Sequence, residues 1–155
     1  MSSYYAPYGT YAPEDAANFI EQWEGFSERA YRCPAGVLTI GFGHTVNVKE
    51  DDVVTYAEAY ALLVNDVKRY VDGMARWINV DVTKGQFIAL TSLAFNVGTD
   101  YVIHHCPKLM RALNTRDEEE CAKQFLDITK CNGVELPGLV KRRKAEAKLF
   151  LEEEE

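Results

Sequence analysis

The spacing of apolar residues along the chain predicts helices over most of its length. From Pro13 to Trp23, apolar residues recur every three or four positions, which is typical of an amphipathic helix. Gly25 would end this helix, predicted over 13–24, and leave Glu24 at its carboxyl end. The negative end of the helix dipole lies there and favours a protonated acid over a carboxylate. We therefore expect the protonated form of Glu24 to be stabilised.

A capping box, in which two side chains satisfy free backbone N–H groups at a helix start, is predicted for Thr55 and Glu58. It opens a long helix over residues 55–78, whose apolar stripe is interrupted by Asp66. About 24 residues with a rise of about 1.5 Å each give a helix of roughly 35 Å. A helix of that length can join two lobes.

A second capping box, formed by Thr83 and Gln86, precedes a helix that Gly98 would end. Gly85 weakens this prediction, since glycine disfavours the helix interior. Pro137 suits the first position of a last helix. Shorter helices are predicted over 107–114 and 117–129.

The last helix carries charge in two unusual places. Arg143 and Lys144 occupy one turn of its apolar stripe, so we expect a basic group to point inward there. Glu152 to Glu155 lie at its negative end, where we expect fraying.

A short β structure is predicted between the first two helices. Residues 37–42 are mostly β-branched and apolar, and Pro34 and Gly36 mark a turn before them. Cys33 precedes this turn and Thr39 lies on the returning strand. A hairpin would bring these two residues near each other.

Together these elements predict an α+β, mainly helical fold. A small β-containing lobe would cover about 24–55, and the linking helix about 55–78. A larger helical lobe would cover about 79–151 and include helix 13–24, after an irregular arm over 1–12. The length of 155 residues suits one such domain, 13–155.

The composition disfavours duplex nucleic acid as a partner and insertion into a membrane. A net charge of −7 disfavours duplex nucleic acid, although Lys141 to Lys144 are locally basic. No apolar run has the length of a membrane helix, and the first residues lack the features of a secretory signal. We therefore expect synthesis as a soluble protein in the cytoplasm, without stable insertion into a membrane.

The cysteines do not predict a metal site or a cofactor. The four of them, Cys33, Cys106, Cys121 and Cys131, are irregularly spaced and form no metal-binding motif. We expect free thiols, no metal and no cofactor.

One segment carries a specific pattern, EGFSERAYRCPAGVLTIGFGHT over residues 24–45. It resembles the active-site segment of the phage lysozymes of glycoside hydrolase family 24. The matching positions are Glu24-Gly25, Tyr31, Cys33, Gly36, Thr39-Ile40-Gly41, Gly43 and His44. Two later blocks, 85–98 and 136–143, also resemble this family, in the helix lining the far side of the cleft and in a late arginine-bearing segment.

The resemblance implies a lysozyme-like fold and a muramidase, which cuts the β-1,4 bond between N-acetylmuramic acid and N-acetylglucosamine in peptidoglycan. It implies that Glu24 is the general acid. Cys33 stands where many relatives carry Asp and would be a base or a nucleophile. Thr39 would position the attacking water, which favours inversion over a thioglycosyl intermediate.

The resemblance also suggests residues that contact substrate: Thr45, Phe95, Asn96, Arg142 and Arg143. One of the late arginines would pair with Glu24; the alternative is that both lie on a solvated helix face. Packing and helix capping are the alternative for Phe95 and Asn96. For His44 we favour a structural hydrogen bond over general-base catalysis.

The predicted partner is the glycan strand of peptidoglycan, bound by a monomer that reaches the cell wall through a holin-type membrane lesion. Two alternatives stay open. A lysozyme-fold module could bind glycan without cutting it, and a bacterial effector could share the chemistry but differ in its route of delivery.

Overall fold

The computed structural model describes residues 4–152, which form two compact units. Seven α-helices and six short strands lie in this part of the chain, and the α+β, mainly helical class is confirmed. In chain order they are β1 (Ala6–Pro7), α1 (Pro13–Ile20), β2 (Ser27–Arg32), β3 (Leu38–Gly41), α2 (Tyr56–Ala75), β4 (Asp81–Val82), α3 (Lys84–Val97), α4 (Thr99–His105), α5 (Pro107–Asn114), α6 (Glu118–Phe125), β5 (Lys130–Cys131), β6 (Val134–Glu135) and α7 (Pro137–Leu151).

The small unit spans Pro13–Arg69 and contains α1, the β2–β3 hairpin and the first part of α2. The capping box at the start of α2 is confirmed: the Thr55 N–H donates to Glu58 Oε1 at 2.9 Å, and the Glu58 N–H donates to Thr55 Oγ1 at 3.1 Å. The hairpin packs closely on α2, because a Cβ atom at Gly41 would lie 3.0 Å from the Ala59 Cβ. This unit contains both α1 and the hairpin, whereas α1 was predicted to belong to the helical lobe.

The large unit contains the described residues up to Ala12 and those from Tyr70 onward. Helix α3 is buried on nearly all sides, as expected for a helix at the centre of a core. Its predicted capping box and its end at Gly98 are confirmed. Gly85 in its first turn is required by packing, since a Cβ atom there would lie 2.3 Å from the Leu149 carbonyl oxygen of α7.

Residues 4–12 are more ordered than the predicted irregular arm. Strand β1 pairs with β4, with Ala6 opposite Val82. The buried Tyr8 hydroxyl lies 2.6 Å from Thr91 Oγ1 on α3. Residues 1–3 of the predicted arm lie outside the described residues, as do Glu153, Glu154 and Glu155 of the run for which fraying was predicted.

Candidate active site

Glu24 lies in a turn and not at a helix end. Helix α1 ends at Ile20, whose carbonyl oxygen accepts the N–H groups of Trp23 at 2.9 Å and Glu24 at 3.1 Å. The prediction that this helix extends to Glu24 is therefore wrong: the hydrogen bonds of the Gln22 and Trp23 N–H groups span three residues, and the regular helix gives way to a turn. Glu24 therefore does not lie at the carboxyl end of a helix, where the negative end of the helix dipole would face it.

The carboxyl group of Glu24 approaches the turn that follows β3. A Cβ atom at Gly43 would lie 3.5 Å from Glu24 Oε1, and the backbone there has a φ of +82°. Glycine adopts this left-handed conformation without strain. The half-buried carboxyl group thus lies against a backbone turn two residues beyond the strand that carries Thr39.

The β2–β3 hairpin brings Cys33 and Thr39 together, as the sequence predicted. Strand pairing places Tyr31 opposite Thr39. The Cys33 N–H donates to the Val37 carbonyl oxygen at 3.0 Å, and the Gly36 N–H donates to the Cys33 carbonyl oxygen at 2.8 Å. These bonds close the turn at the Cys33 end.

The half-buried sulfur of Cys33 faces hydrogen-bond donors. The backbone N–H of Val37, then that of Ala35, lower the pKa of the thiol, and the Thr39 hydroxyl adds to this effect. The Thr39 side chain is buried, and its hydroxyl also lies within donating distance of the Val37 carbonyl oxygen, at 2.9 Å. This environment favours the thiolate, which is the form of cysteine that acts as a base or nucleophile.

His44 is held by both ring nitrogens. Its Nδ1 lies 2.9 Å from Asp66 Oδ2, and its Nε2 lies 2.9 Å from the Val46 carbonyl oxygen. The buried Asp66 also accepts a bond of 2.7 Å from Arg69 Nη2. The structural hydrogen bond predicted for His44 is present, and Asp66 interrupts the apolar stripe of α2 because it binds these two side chains. Thr45, beside His44, is exposed.

In the large unit, Arg142 and Arg143 are buried, with 4% and 0% of their surface exposed. The alternative of a solvated helix face is therefore wrong for both. Arg142 Nη2 donates to the Ser92 carbonyl oxygen at 3.2 Å, and Arg143 Nη1 lies 3.1 Å from Glu146 Oε1. The predicted inward basic group is Arg143, whereas Lys144 is exposed.

Glu146 is the centre of this buried network, and sequence reasoning missed it. Its Oε2 accepts from the Ser92 hydroxyl and lies 3.4 Å from Arg142 Nε. Burial raises the pKa of the Glu146 carboxyl, and Arg143, Ser92 and Arg142 oppose that shift. The sequence does carry a signal for it: Glu146 lies on the apolar stripe of α7, three residues after Arg143 and four residues after Arg142.

Two further predicted substrate residues lie at the end of α3. The Phe95 ring packs against the Tyr70 ring with their centroids 5.2 Å apart. The Asn96 side-chain oxygen accepts a hydrogen bond from Arg143 Nη2. Phe95 thus has a packing role, and Asn96 makes a hydrogen bond within the large unit.

The structure therefore gathers the predicted residues in two sets. Glu24, Cys33, Thr39 and Thr45 belong to the small unit, and Phe95, Asn96, Arg142 and Arg143 belong to the large unit. The pairing of a late arginine with Glu24 stays a prediction.

All four cysteines are free thiols. Between residues 4 and 152, no three His, Cys, Asp or Glu side chains come together as metal ligands. In that same part of the chain, every helix is too short or too polar to cross a bilayer.

Comparisons with known proteins, by family model, by sequence and by structure, agree with one another. The family model described as phage lysozyme matches residues 21–146. An endolysin of Acyrthosiphon pisum secondary endosymbiont phage 1 is 37% identical over 135 residues, which cover 84% of this chain and 91% of that protein.

A second relative, the endolysin of Bacillus phage B103, is 38% identical over 137 residues, covering 86% of this chain. The matched region is 51% of that relative, so the chain spans about half of its length. Among solved structures, the muramidase domain of SpmX from Asticaccaulis excentricus superposes with a TM-score of 0.81 and 31% identity. It covers 88% of this chain and 95% of that domain.

Proposed function

The chain belongs to the phage lysozyme family, and on that premise we propose that it is an endolysin that hydrolyses the β-1,4 bond between N-acetylmuramic acid and N-acetylglucosamine in peptidoglycan. It is a glycoside hydrolase of the muramidase class. The observation that carries the proposal is the arrangement within the small unit. Glu24 lies against Gly43, and the preceding hairpin presents the Cys33 sulfur to hydrogen-bond donors.

Glu24 is the proposed general acid. Cleavage of a glycosidic bond requires a proton on the departing oxygen, and a carboxylic acid at hydrogen-bonding distance can supply it. Glu24 is half-buried, and the backbone turn at Gly43 restricts the space beside one of its oxygens. A carboxyl group in such a setting loses part of its solvation.

Cys33 is the proposed second group, acting as a base. In this route the thiolate accepts a proton from a water molecule as the water oxygen attacks the anomeric carbon, while Glu24 protonates the leaving oxygen. Thr39 orients that water, and the product has the inverted configuration. The donors around the sulfur support this role, because they stabilise the thiolate before the reaction begins.

A covalent route uses the same residues differently. The thiolate attacks the anomeric carbon while Glu24 protonates the departing oxygen, the glycosidic bond breaks, and a thioglycosyl intermediate forms. Water then hydrolyses this intermediate, with Glu24 now acting as base, and the product retains its configuration. We prefer the water route because Thr39 follows the pattern of relatives that use Asp. Product anomers measured by NMR distinguish the two routes, since net retention excludes inversion.

The proposed substrate contacts are Thr45, from the exposed surface of the small unit, and Phe95 and Asn96, from the large unit. Arg143 holds the Asn96 amide through a hydrogen bond, so the arginine orients that side chain. The monomeric state and the holin-type lesion stay predictions.

A zymogram with purified peptidoglycan tests the proposal. Wild-type protein should clear the substrate, and Glu24→Ala should abolish clearing. Cys33→Ser should reduce clearing strongly, since a serine hydroxyl, unlike a thiol, does not ionise in the pH range in which the protein is folded. Clearing by Glu24→Ala at the wild-type rate contradicts the assignment of the acid. Binding of peptidoglycan without clearing at any pH identifies a glycan-binding module.

A further inference from the structure

A pocket of about 300 Å³ lies in the large unit, where the end of α4, the start of α5 and the turn after α6 come together. The proposed reaction assigns it no role. Its least exposed lining residues are Cys106, Leu109 and Ile128. The rings of Tyr101 and His105 also line it and stack on each other, with their centroids 5.6 Å apart. Its volume is at the lower end of the range for small-ligand sites.

The pocket adjoins the buried network that holds a proposed substrate contact. Burial raises the pKa of the Cys106 thiol, and the positive charge of Arg143 opposes that shift, so the guanidinium lies near the sulfur. Arg143 is fully buried, and its Nη2 donates to the Asn96 side-chain oxygen. Arg143 thus links the pocket wall to Asn96, and a ligand in the pocket can belong to the same substrate as a sugar at Asn96.

Charges of both signs line the pocket. Lys108 supplies an ammonium group and Asp127 a carboxylate, and both side chains are exposed. In the described part of the chain, neither takes part in an ion pair. The adjoining surface is mixed as well, with Arg111, Asp117 and Glu120 beside Lys108. This balance favours neither a simple anion nor a simple cation, and it suits a ligand that carries a carboxylate and an amine together.

The proposed substrate contains such a group. In peptidoglycan, the lactyl group of N-acetylmuramic acid carries a short peptide stem with free carboxylates and, in many bacteria, the free amine of a diamino acid, whereas the sugar rings are uncharged. Gln124 Nε2 donates to Glu120 Oε1 at 2.9 Å, so the Gln124 amide is held at the pocket wall, where it can bond to peptide groups. Leu109 and Ile128 offer apolar contact to the methyl groups of alanine.

We propose that this pocket binds the peptide stem of N-acetylmuramic acid, with Lys108 facing a stem carboxylate and Asp127 facing a stem amine. The proposal rests on the proposed function, because the stem is part of that substrate. The enzyme therefore prefers glycan strands whose stems are intact. The stem lies away from the bond that breaks, so these contacts act on KM and leave kcat unchanged.

Two soluble substrates test the proposal: uncross-linked glycan strands with intact stems, and the same strands after an amidase has removed the stems. Lys108→Gln combined with Asp127→Asn should lower kcat/KM on intact strands by roughly tenfold, through KM, and should match wild type on stripped strands. The control combines Lys148→Gln with Glu119→Gln, which makes the same charge changes on exposed side chains elsewhere in the large unit. It should match wild type on both substrates. Equal losses on both substrates, or an equal loss in the control, overturn the proposal.

A binding measurement that needs no cleavage separates this proposal from the proposed function. Muramyl tripeptide, titrated into the wild-type protein, should shift the NMR signals of the His105 ring, which lines the pocket, more than those of the His104 ring, which packs against Trp77. The variant of Lys108 and Asp127 should need about tenfold more peptide for the same shift. A His105 signal that does not move at millimolar peptide overturns the stem site, even where the wild-type protein cleaves glycan. A shift without any cleavage supports the stem site and contradicts the proposed function.

Discussion

The Thr39 hydroxyl lies beside the Cys33 sulfur across the turn that joins β2 and β3, where it helps to lower the pKa of the thiol. The two residues are six positions apart, and the pairing of Tyr31 with Thr39 sets their separation in space. The residue proposed to hold the water is therefore in direct contact with the group proposed to deprotonate it. This relationship makes the ionisation of Cys33 the first property to measure.

The alkylation rate of Cys33 should follow a titration whose midpoint lies below that of an ordinary thiol. The Val37 and Ala35 N–H groups lower its pKa by stabilising the thiolate, so the thiolate fraction is larger at a given pH and grows as pH rises through the folded-state value. Iodoacetamide labelling across pH, followed by mass spectrometry of the Cys33 peptide, measures this midpoint. Activity should rise with the same midpoint, and alkylation should abolish it. A midpoint at or above that of a short model peptide would show that these N–H groups do not act on the sulfur.

Gly85→Ala should lower the free energy of unfolding by about 3 kcal/mol. Its Cβ atom would lie 2.3 Å from the backbone oxygen of Leu149, and backbone cannot move aside as a flexible side chain can. Gly138→Ala is the control, because no atom lies within 4 Å of its Cβ position in α7. That change should be neutral or stabilising by up to about 1 kcal/mol. Urea unfolding of both variants measures the difference, and equal effects would refute the packing argument.

Asp66→Ala should destabilise the protein by about 3 kcal/mol, since it leaves His44 Nδ1 without its buried acceptor. Arg69→Ala removes the other partner of Asp66, but the Arg69 side chain is 57% exposed. Its loss should therefore cost less than about 1 kcal/mol. Chemical denaturation measures the free energy of unfolding of both variants. A larger loss for Arg69→Ala than for Asp66→Ala would contradict the assignment of His44–Asp66 as the structural pair.

Glu146→Leu should destabilise the large unit by about 4 kcal/mol, although leucine can occupy much of the space of the original side chain. The change leaves two buried guanidinium groups without their shared carboxylate. Lys148→Ala, on the exposed side of the same helix, should stay within about 0.5 kcal/mol of wild type. Thermal unfolding compares the two variants, and a neutral result for Glu146→Leu would mean that the arginines find compensation elsewhere.

Local signals in the sequence predicted the elements that depend on local hydrogen bonds. The box of Thr83 and Gln86 marks the start of α3, and the pattern predicted 107–114 with the bounds that α5 has. The hairpin around Gly36 was also predicted, and with it the proximity of Cys33 and Thr39. Turn residues and the apolar, β-branched residues of a strand lie within a few positions of one another, so the sequence shows them directly.

Features that depend on distant contacts were missed. The strand pair of β1 and β4 is two residues long and joins Ala6 to Val82, so no local pattern indicates it. The end of α1 at Ile20 was missed since Gly25 offered a stronger stop signal. Glu146 went unnoticed because the sequence does not show that the face of α7 carrying both arginines is buried against Ser92 of α3.

The most direct test of the proposed mechanism is the chemical identity and rate of the new reducing ends released from purified peptidoglycan. Borohydride reduction followed by mass spectrometry identifies them. Wild type should release reduced N-acetylmuramic acid, and Glu24→Gln should slow this release by at least about 100-fold. Glu21→Gln, a neighbouring acid whose carboxylate accepts from the Tyr56 hydroxyl, should keep the wild-type rate. Reduced N-acetylglucosamine ends, or full activity of Glu24→Gln, would contradict the proposal that Glu24 is the acid of a muramidase.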